Sequence, residues 1–185
     1  MFPEISLHIL DIAQNSLRAG ATLIEISLIE DTEKHTLLFV IRDNGCGMTP
    51  EQVDRVTDPF YTSRTTRKVG LGVPFLKQAA EVTGGNLEIR SSAGLGTEVS
   101  ALFHTDHIDC MPLGDITETM MALIEGLGDV DLVYTYRVDS REFVLDTRDV
   151  REILGDVSFS EPEVRSFLRD FLAENKAETD GGAQI

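Results

Sequence analysis

Three glycine-bearing segments, each set at the boundary of a patterned apolar run, constrain this chain more than any other feature. Their order along the sequence matters more than any one of them. The first is DIAQNSLRAGATLIEI (11–26). It overlaps a run in which Ile5, Leu7, Ile9, Leu10, Ile12, Ala13 and Leu17 recur at a mostly helical period, with Gly20 placed to end the helix. Asp11 and Asn15 are four apart, so both side chains leave one helix face. A carboxylate and an amide there can orient water and complete the octahedral oxygen shell of Mg2+. Two polar residues on a solvated face are the plainer alternative.

The second segment, IRDNGCGM (41–48), directly follows the strand-like run HTLLFVIRD (35–43). Gly45 and Gly47 let backbone approach a ligand closely. Asp43, at the strand end, offers an acceptor suited to an exocyclic adenine amine; an ordinary Asp-Asn-Gly turn is the alternative. The third, DPFYTSRTTRKVGLGVPFLKQAAEVTGG (58–85), sets Gly70-Leu71-Gly72 immediately before a helical pattern. A helix start exposes N–H groups and a positive dipole end, which together bind anions. Arg64, Arg67 and Lys68 lie just upstream, the only basic cluster of an acidic chain. Phosphate contact is favoured there over solvated loop charges.

Between these segments the pattern predicts helix over 4–18, strands over 21–30 and 35–43, and a short helix at 50–56 with Thr49 as N-cap and Pro50 at its first turn. A polar loop over 57–70 is expected to be mobile. A helix at 71–83 and strands at 86–92 and 96–104 follow. Residues 105–113 read as a linker, followed by a helix at 114–127, strands near 130–138 and 141–146, and helices at 147–154 and 161–175. The tail from Glu178 is polar and expected to fray. This order implies an α/β two-layer sandwich over 1–104, a mixed, largely antiparallel sheet with helices on one face. A small α+β extension over 114–177, a possible docking region, and a flexible 178–185 tail complete the expected organisation.

Composition narrows the partners. The net charge is −16. Residues 1–104 hold 9 Lys/Arg against 13 Asp/Glu, and residues 105–185 hold 7 against 19. Nucleic acid needs a basic surface that releases counterions, so neither DNA nor an anionic membrane is an expected partner. No apolar stretch approaches the ~18 residues of a membrane span, and the start lacks a basic leader region, so the expected location is cytoplasmic. Cys46 and Cys110 form no CxxC or Cys/His spacing, against a disulfide framework or structural zinc.

Taken together, the segments resemble the N, G1, F and G2 boxes of the GHKL superfamily, the nucleotide fold shared by histidine kinases, MutL-type repair ATPases and gyrase. The resemblance covers roughly residues 4–104. It implies a Bergerat-type sandwich that binds ATP with Mg2+. By that resemblance Asn15 looks like the Mg2+ ligand, Asp43 the adenine reader, Gly45, Gly47 and Met48 the first glycine box, Phe60 the F box, and Gly70, Leu71 and Gly72 the second glycine box. Thr97, after Gly96, resembles the Thr beside the adenine Asp. Arg18, Arg67 and Lys68 fall where phosphate contacts are expected. Arg18 and the segments PFYTSR and RKVGLGV resemble the kinase branch rather than MutL. Val73 stands where a Leu is usual.

Asp11 occupies the place of a Glu that acts as general base in some members, one methylene short of it. No phosphoacceptor helix pair is evident before the first box, and His8 lies on the first helix itself. The function expected is therefore a kinase-like regulatory module that binds Mg·ATP and either phosphorylates a partner protein in trans or changes partner affinity with nucleotide state. A non-catalytic ATP switch is the alternative, and a MutL-like clamp comes last.

Overall fold

A computed structural model of the chain describes residues 4–57 and 72–182. The elements run α1 (Ile5–Arg18), β1 (Leu23–Asp31), β2 (Thr36–Asp43), α2 (Pro50–Val56), α3 (Gly72–Val82), β3 (Asn86–Ser92), β4 (Gly96–His104), α4 (Ile116–Gly126), β5 (Asp131–Val138), β6 (Arg141–Asp146), α5 (Thr147–Leu154) and α6 (Pro162–Asp180). Six strands form one sheet in the order β3-β4-β2-β1-β5-β6, antiparallel throughout except for the parallel β1/β5 pair.

Strict alternation puts one side of each strand in the core. Ile24, Ile26 and Leu28 of β1 meet Leu37, Phe39 and Ile41 of β2 and Val99, Ala101 and Phe103 of β4 on the buried face. Helices cover that face: α1 buries Ile5, Ile9, Ile12 and Ala13, the i, i+4, i+7, i+8 stripe its sequence predicts. Each such isoleucine contributes on the order of 1.5–3 kcal/mol on leaving water. The other face is open and carries a ladder of ion pairs, with Arg42 between Glu25 and Glu98 and Arg90 between Glu98 and Glu88. The expected α/β sandwich with helices on one face is thus the observed architecture.

One expectation about the C-terminal part needs correcting, that of its tail. Strands β5 and β6 extend the sheet: β5 pairs with β1 from Leu23↔Asp131 to Glu30↔Val138, so residues 131–146 widen the same sheet and share its core. The tail does not fray at Glu178. Helix α6 continues to Asp180 because that polar end is internally satisfied. Lys176 Nζ lies 2.5 Å from Asp180 Oδ2, Tyr136 donates its hydroxyl to the same carboxylate, and Gly182 N–H donates to Asp180 Oδ1 at 2.8 Å. Residues 105–113 lend the Pro112 and Leu113 carbonyls to the Ile5 and Ser6 N–H groups in the first turn of α1. The expected mobility of 57–70 falls almost wholly outside the described residues.

His8 sits inside this core with 1% of its surface exposed. Burial disfavours its charged form and lowers its pKa from 6.5 to about 4. The folded pKa lies below the unfolded one, so the unfolded chain takes up the proton first. Stability is whole above pH 6.5 and falls as pH drops towards 4. The loss should reach about 3 kcal/mol. Urea unfolding of wild type and His8→Leu between pH 7 and 4 checks this: wild type should lose more stability than the variant by that amount as pH falls, and parallel curves would refute it.

Candidate nucleotide pocket

The site forms where β2 ends. Asp43 faces the helix layer, beside Ile24 on one side and opposite Thr97 of β4 on the other. Its carboxylate is held twice. The Ser16 hydroxyl on α1 donates to Oδ2 at 2.6 Å, and the Gly45 N–H donates to Oδ1 at 2.9 Å. Each oxygen keeps a further lone pair, so the group can still accept from a ligand.

The 44–48 segment is latched to its surroundings. Cys46 N–H donates to Ala19 O at 2.9 Å, Gly94 N–H donates to Cys46 O at 2.7 Å, and Met48 N–H donates to Ser91 Oγ at 2.8 Å. Asn44 Oδ1 accepts from the Thr22 and Leu23 N–H groups, tying the segment to the start of β1. Gly47 has φ +64°, and a Cβ there would come within 2.0 Å of Ser92 O, so both backbone angle and space demand glycine.

A cavity of about 290 Å³ opens beside Asp43. Asn15, Ser16, Asp43, Gly47, Met48 and Thr97 supply its polar and close-backbone parts, and Ile12, Val73, Ile89 and Val99 its apolar walls. An apolar slot with one fixed carboxylate at its edge suits a flat heterocycle that donates one hydrogen bond. A larger cleft of about 360 Å³ lies on the open sheet face, behind the same strand ends. It is lined by the already paired charges Glu25, Arg42, Arg90 and Glu98, with Leu23 and Leu95 as its large apolar side chains.

The structure thus brings together Asn15, Asp43, Gly47, Met48 and Thr97 of the residues singled out from sequence. Gly45 acts through its N–H on Asp43 rather than as lining. Arg18 is exposed and donates to Asn15 Oδ1 at 2.6 Å, so it holds the amide from outside the cavity. Asp11 and Gly72 meet each other: a Cβ on Gly72 would lie 1.8 Å from Asp11 Oδ2, a buried oxygen that accepts no hydrogen bond among the described residues. Phe60, Arg64, Arg67, Lys68, Gly70 and Leu71 lie outside the described residues. Among those described, no group of three or more His, Cys, Asp or Glu side chains could hold a metal ion, and Asn15 offers the cavity an amide oxygen. Ser16 and Ser91 were missed. Each carried a signal in its spacing, Ser16 four residues after buried Ile12 and Ser91 two after Ile89 on the same strand face.

The Asp11–Gly72 contact is testable. Gly72→Ala should destabilise the chain by about 1–3 kcal/mol despite alanine's better helix propensity. In an Asp11→Ala background the same change should be neutral or stabilising by up to about 1 kcal/mol. A double-mutant cycle by urea denaturation reads the coupling, and equal costs in both backgrounds would show that the two residues do not press on each other.

Comparison with known proteins agrees with this geometry. The sequence model of the family described as histidine kinase-, DNA gyrase B- and HSP90-like ATPase matches residues 4–107, from α1 through β4. Curated relatives include a putative sensor protein of Shewanella frigidimarina, 30% identical over 97 residues, covering 51% of this chain and 15% of that protein. Others are a CAI-1 autoinducer sensor kinase/phosphatase of Vibrio cholerae, 39% identical over 70 residues (38% and 10%), and a probable C4-dicarboxylate sensor kinase of Bacillus subtilis, 39% identical over 80 residues (43% and 15%). The matches therefore span between 10% and 15% of those relatives' length. Among solved structures, the Aquifex aeolicus MutL ATPase domain complexed with ADP aligns with a TM-score of 0.50 at 18% identity, over 83% of this chain and 69% of that one. The N-terminal domain of a DNA repair protein aligns at 0.53 and 12% identity, over 84% and 58%. No helix among the described residues is long and apolar enough to cross a membrane. This chain belongs to the family of histidine kinase-, DNA gyrase B- and HSP90-like ATPases.

Proposed function

We propose that the chain is a kinase-like regulatory module that binds Mg·ATP in the cavity beside Asp43 and acts on a partner protein. The observation that carries this reading is the doubly held Asp43 carboxylate at the edge of an apolar slot. Adenine carries an exocyclic amine that can donate to such an acceptor, whereas guanine turns a carbonyl oxygen to the same place and is repelled. Ile12, Val73, Ile89 and Val99 supply the apolar surface the base would cover. Thr97 and Ser91 form a polar pair, 2.8 Å between hydroxyl oxygens, that steadies the strand end behind it.

The phosphates would extend past Asn15 towards the start of α3. Asn15 suits a Mg2+ ion that arrives on the phosphates, because one protein oxygen leaves the remaining positions to phosphate and water. Such an ion supplies charge neutralisation there. Arg18 sets the direction of the Asn15 amide. Asp11 stands at the Gly72 junction with an oxygen still able to accept, the position for orienting a hydroxyl or a water.

Two outcomes of nucleotide binding divide the reading. Transfer of the γ-phosphoryl group to a partner side chain would make the module a kinase acting in trans. Retention of ATP would make it a switch that changes partner affinity. The short side chain of Asp11 favours the switch for the chain alone: one methylene less than a glutamate would leave a water it orients displaced, and a misplacement of about an ångström can cost on the order of 10²-fold in rate.

Calorimetry with ATP and GTP tests the site. ATP should bind in preference to GTP, and Asp43→Asn should weaken ATP by roughly 10–150-fold, the equivalent of about 1.5–3 kcal/mol for a charge-assisted bond. Unchanged affinity in the variant would remove Asp43 from the site. With γ-labelled ATP, label on a partner protein identifies the kinase, and label retained on nucleotide identifies the switch.

A further inference from the structure

The outer face of α6 holds an apolar ring and unpaired acids in a pattern that nothing in the nucleotide site uses. Glu163, Phe167, Asp170 and Glu174 are all exposed and follow the i, i+4, i+7, i+11 spacing of one helix face. Phe167 leaves 63% of its surface to solvent. Its ring stacks on Phe171 at 5.9 Å, and Phe171 meets Phe143 of β6 edge-on at 5.5 Å, so the exposed ring is the outer end of an aromatic chain rooted in the core.

The charges of α6 are sorted by side. Arg165 pairs with Glu125, Arg169 with Glu118, and Lys176 with Asp180, so each cation of the helix already has a partner. Glu163, Asp170 and Glu174 form no ion pair among the described residues. The helix neutralises its inner side against α4 and leaves its outer side acidic around a bare aromatic ring. Beside it β6 ends the sheet, with Phe143 turned to the side that α6 covers.

We infer that the outer face of α6 docks a basic amphipathic helix of a partner protein. The occupant is specified by charge and spacing. The acids run about 17 Å along the helix at 1.5 Å per residue, and a second helix lying alongside presents lysines or arginines at a matching repeat. An apolar side chain of that helix would cover Phe167, and large rings in such positions carry much of an interface's energy. The inference rests on the proposed function only in requiring a protein partner. Helix α1 joins the two regions, since it lines the nucleotide cavity through Asn15 and Ser16 and packs on α4.

The test uses the full chain and a fluorescent 18-residue peptide of leucine and lysine in an amphipathic helical pattern, followed by anisotropy. Combined Glu163→Lys, Asp170→Lys and Glu174→Lys should weaken the peptide by about tenfold or more, and Phe167→Ser alone by about tenfold. A control with the same change in net charge, Glu81→Lys, Asp106→Lys and Asp109→Lys near the β3–β4 edge of the sheet, should lose less than about twofold. Equal losses in the two triple variants would show attraction to bulk charge and overturn the inference. So would sedimentation showing self-association that Phe167→Ser abolishes, which would make the occupant a second copy. ATP calorimetry on the same variants keeps the two readings apart. Unaltered ATP affinity beside lost peptide binding is the expected result, and a wild type that binds peptide but no ATP would refute the nucleotide site alone.

Discussion

The hydrogen bond from Ser16 to Asp43 is the contact on which the site depends. It joins the first helix to the end of the second strand, two elements separated by a whole hairpin. The bond is 2.6 Å long and largely screened from water, so it fixes a carboxylate where a free side chain would rotate. The Gly45 N–H fixes the second oxygen, and the β2–β4 register sets Thr97 directly across the strand pair. A preorganised acceptor discriminates between donors and acceptors on a ligand because it cannot turn away from the wrong one. The adenine preference proposed for this chain follows from that rigidity as much as from the identity of the residue.

Other features serve the same end by holding backbone where side chains would be in the way. The 44–48 segment is pinned from three directions, by Ala19, by Gly94 and by Ser91, and its closest approach to Ser92 is made through Gly47. Beside the cavity the start of α3 comes close to α1, where a Cβ on Gly72 would meet the Asp11 carboxylate. Gly47 and Gly72 are thus packing positions that bring elements together around the cavity. Helix α1 carries this arrangement outward, since the linker carbonyls of Pro112 and Leu113 cap its first turn and α4 packs along it. A change in the C-terminal layer therefore has a physical route to Asn15 and Ser16.

Much of this was legible in the sequence because each signal was local. The period of Ile5, Ile9 and Ile12 announces a buried helix face, Thr49-Pro50 announces a helix start, and the glycine segments stand at element boundaries. The Thr49 cap is observed, completed by Gln52 Oε1 accepting from the Thr49 N–H. What escaped was non-local. No pattern within 131–138 indicates that β5 runs parallel to β1, more than a hundred residues earlier. The polar stretch ending at Asp180 resembles a frayed tail until Lys176 and Tyr136 are seen to meet its carboxylate. The spacing of Ser16 marks it as facing the core, but its partner Asp43 lies 27 residues away and no local pattern names it. The basic cluster and the second glycine box up to Leu71 stay with the sequence argument.

The central claim is that nucleotide occupies the cavity on the helix side of the strand ends. Hydrogen–deuterium exchange of the chain with and without Mg·ATP tests it most directly. The account predicts added protection of the amides of 43–48 and of the Asp11–Asn15 turn of α1, with the open-face strand positions Arg42, Arg90 and Glu98 unchanged apart from their shared strand ends. Protection centred on those three residues, with 43–48 and α1 unaltered, would place the ligand in the charged cleft behind the sheet and contradict the account.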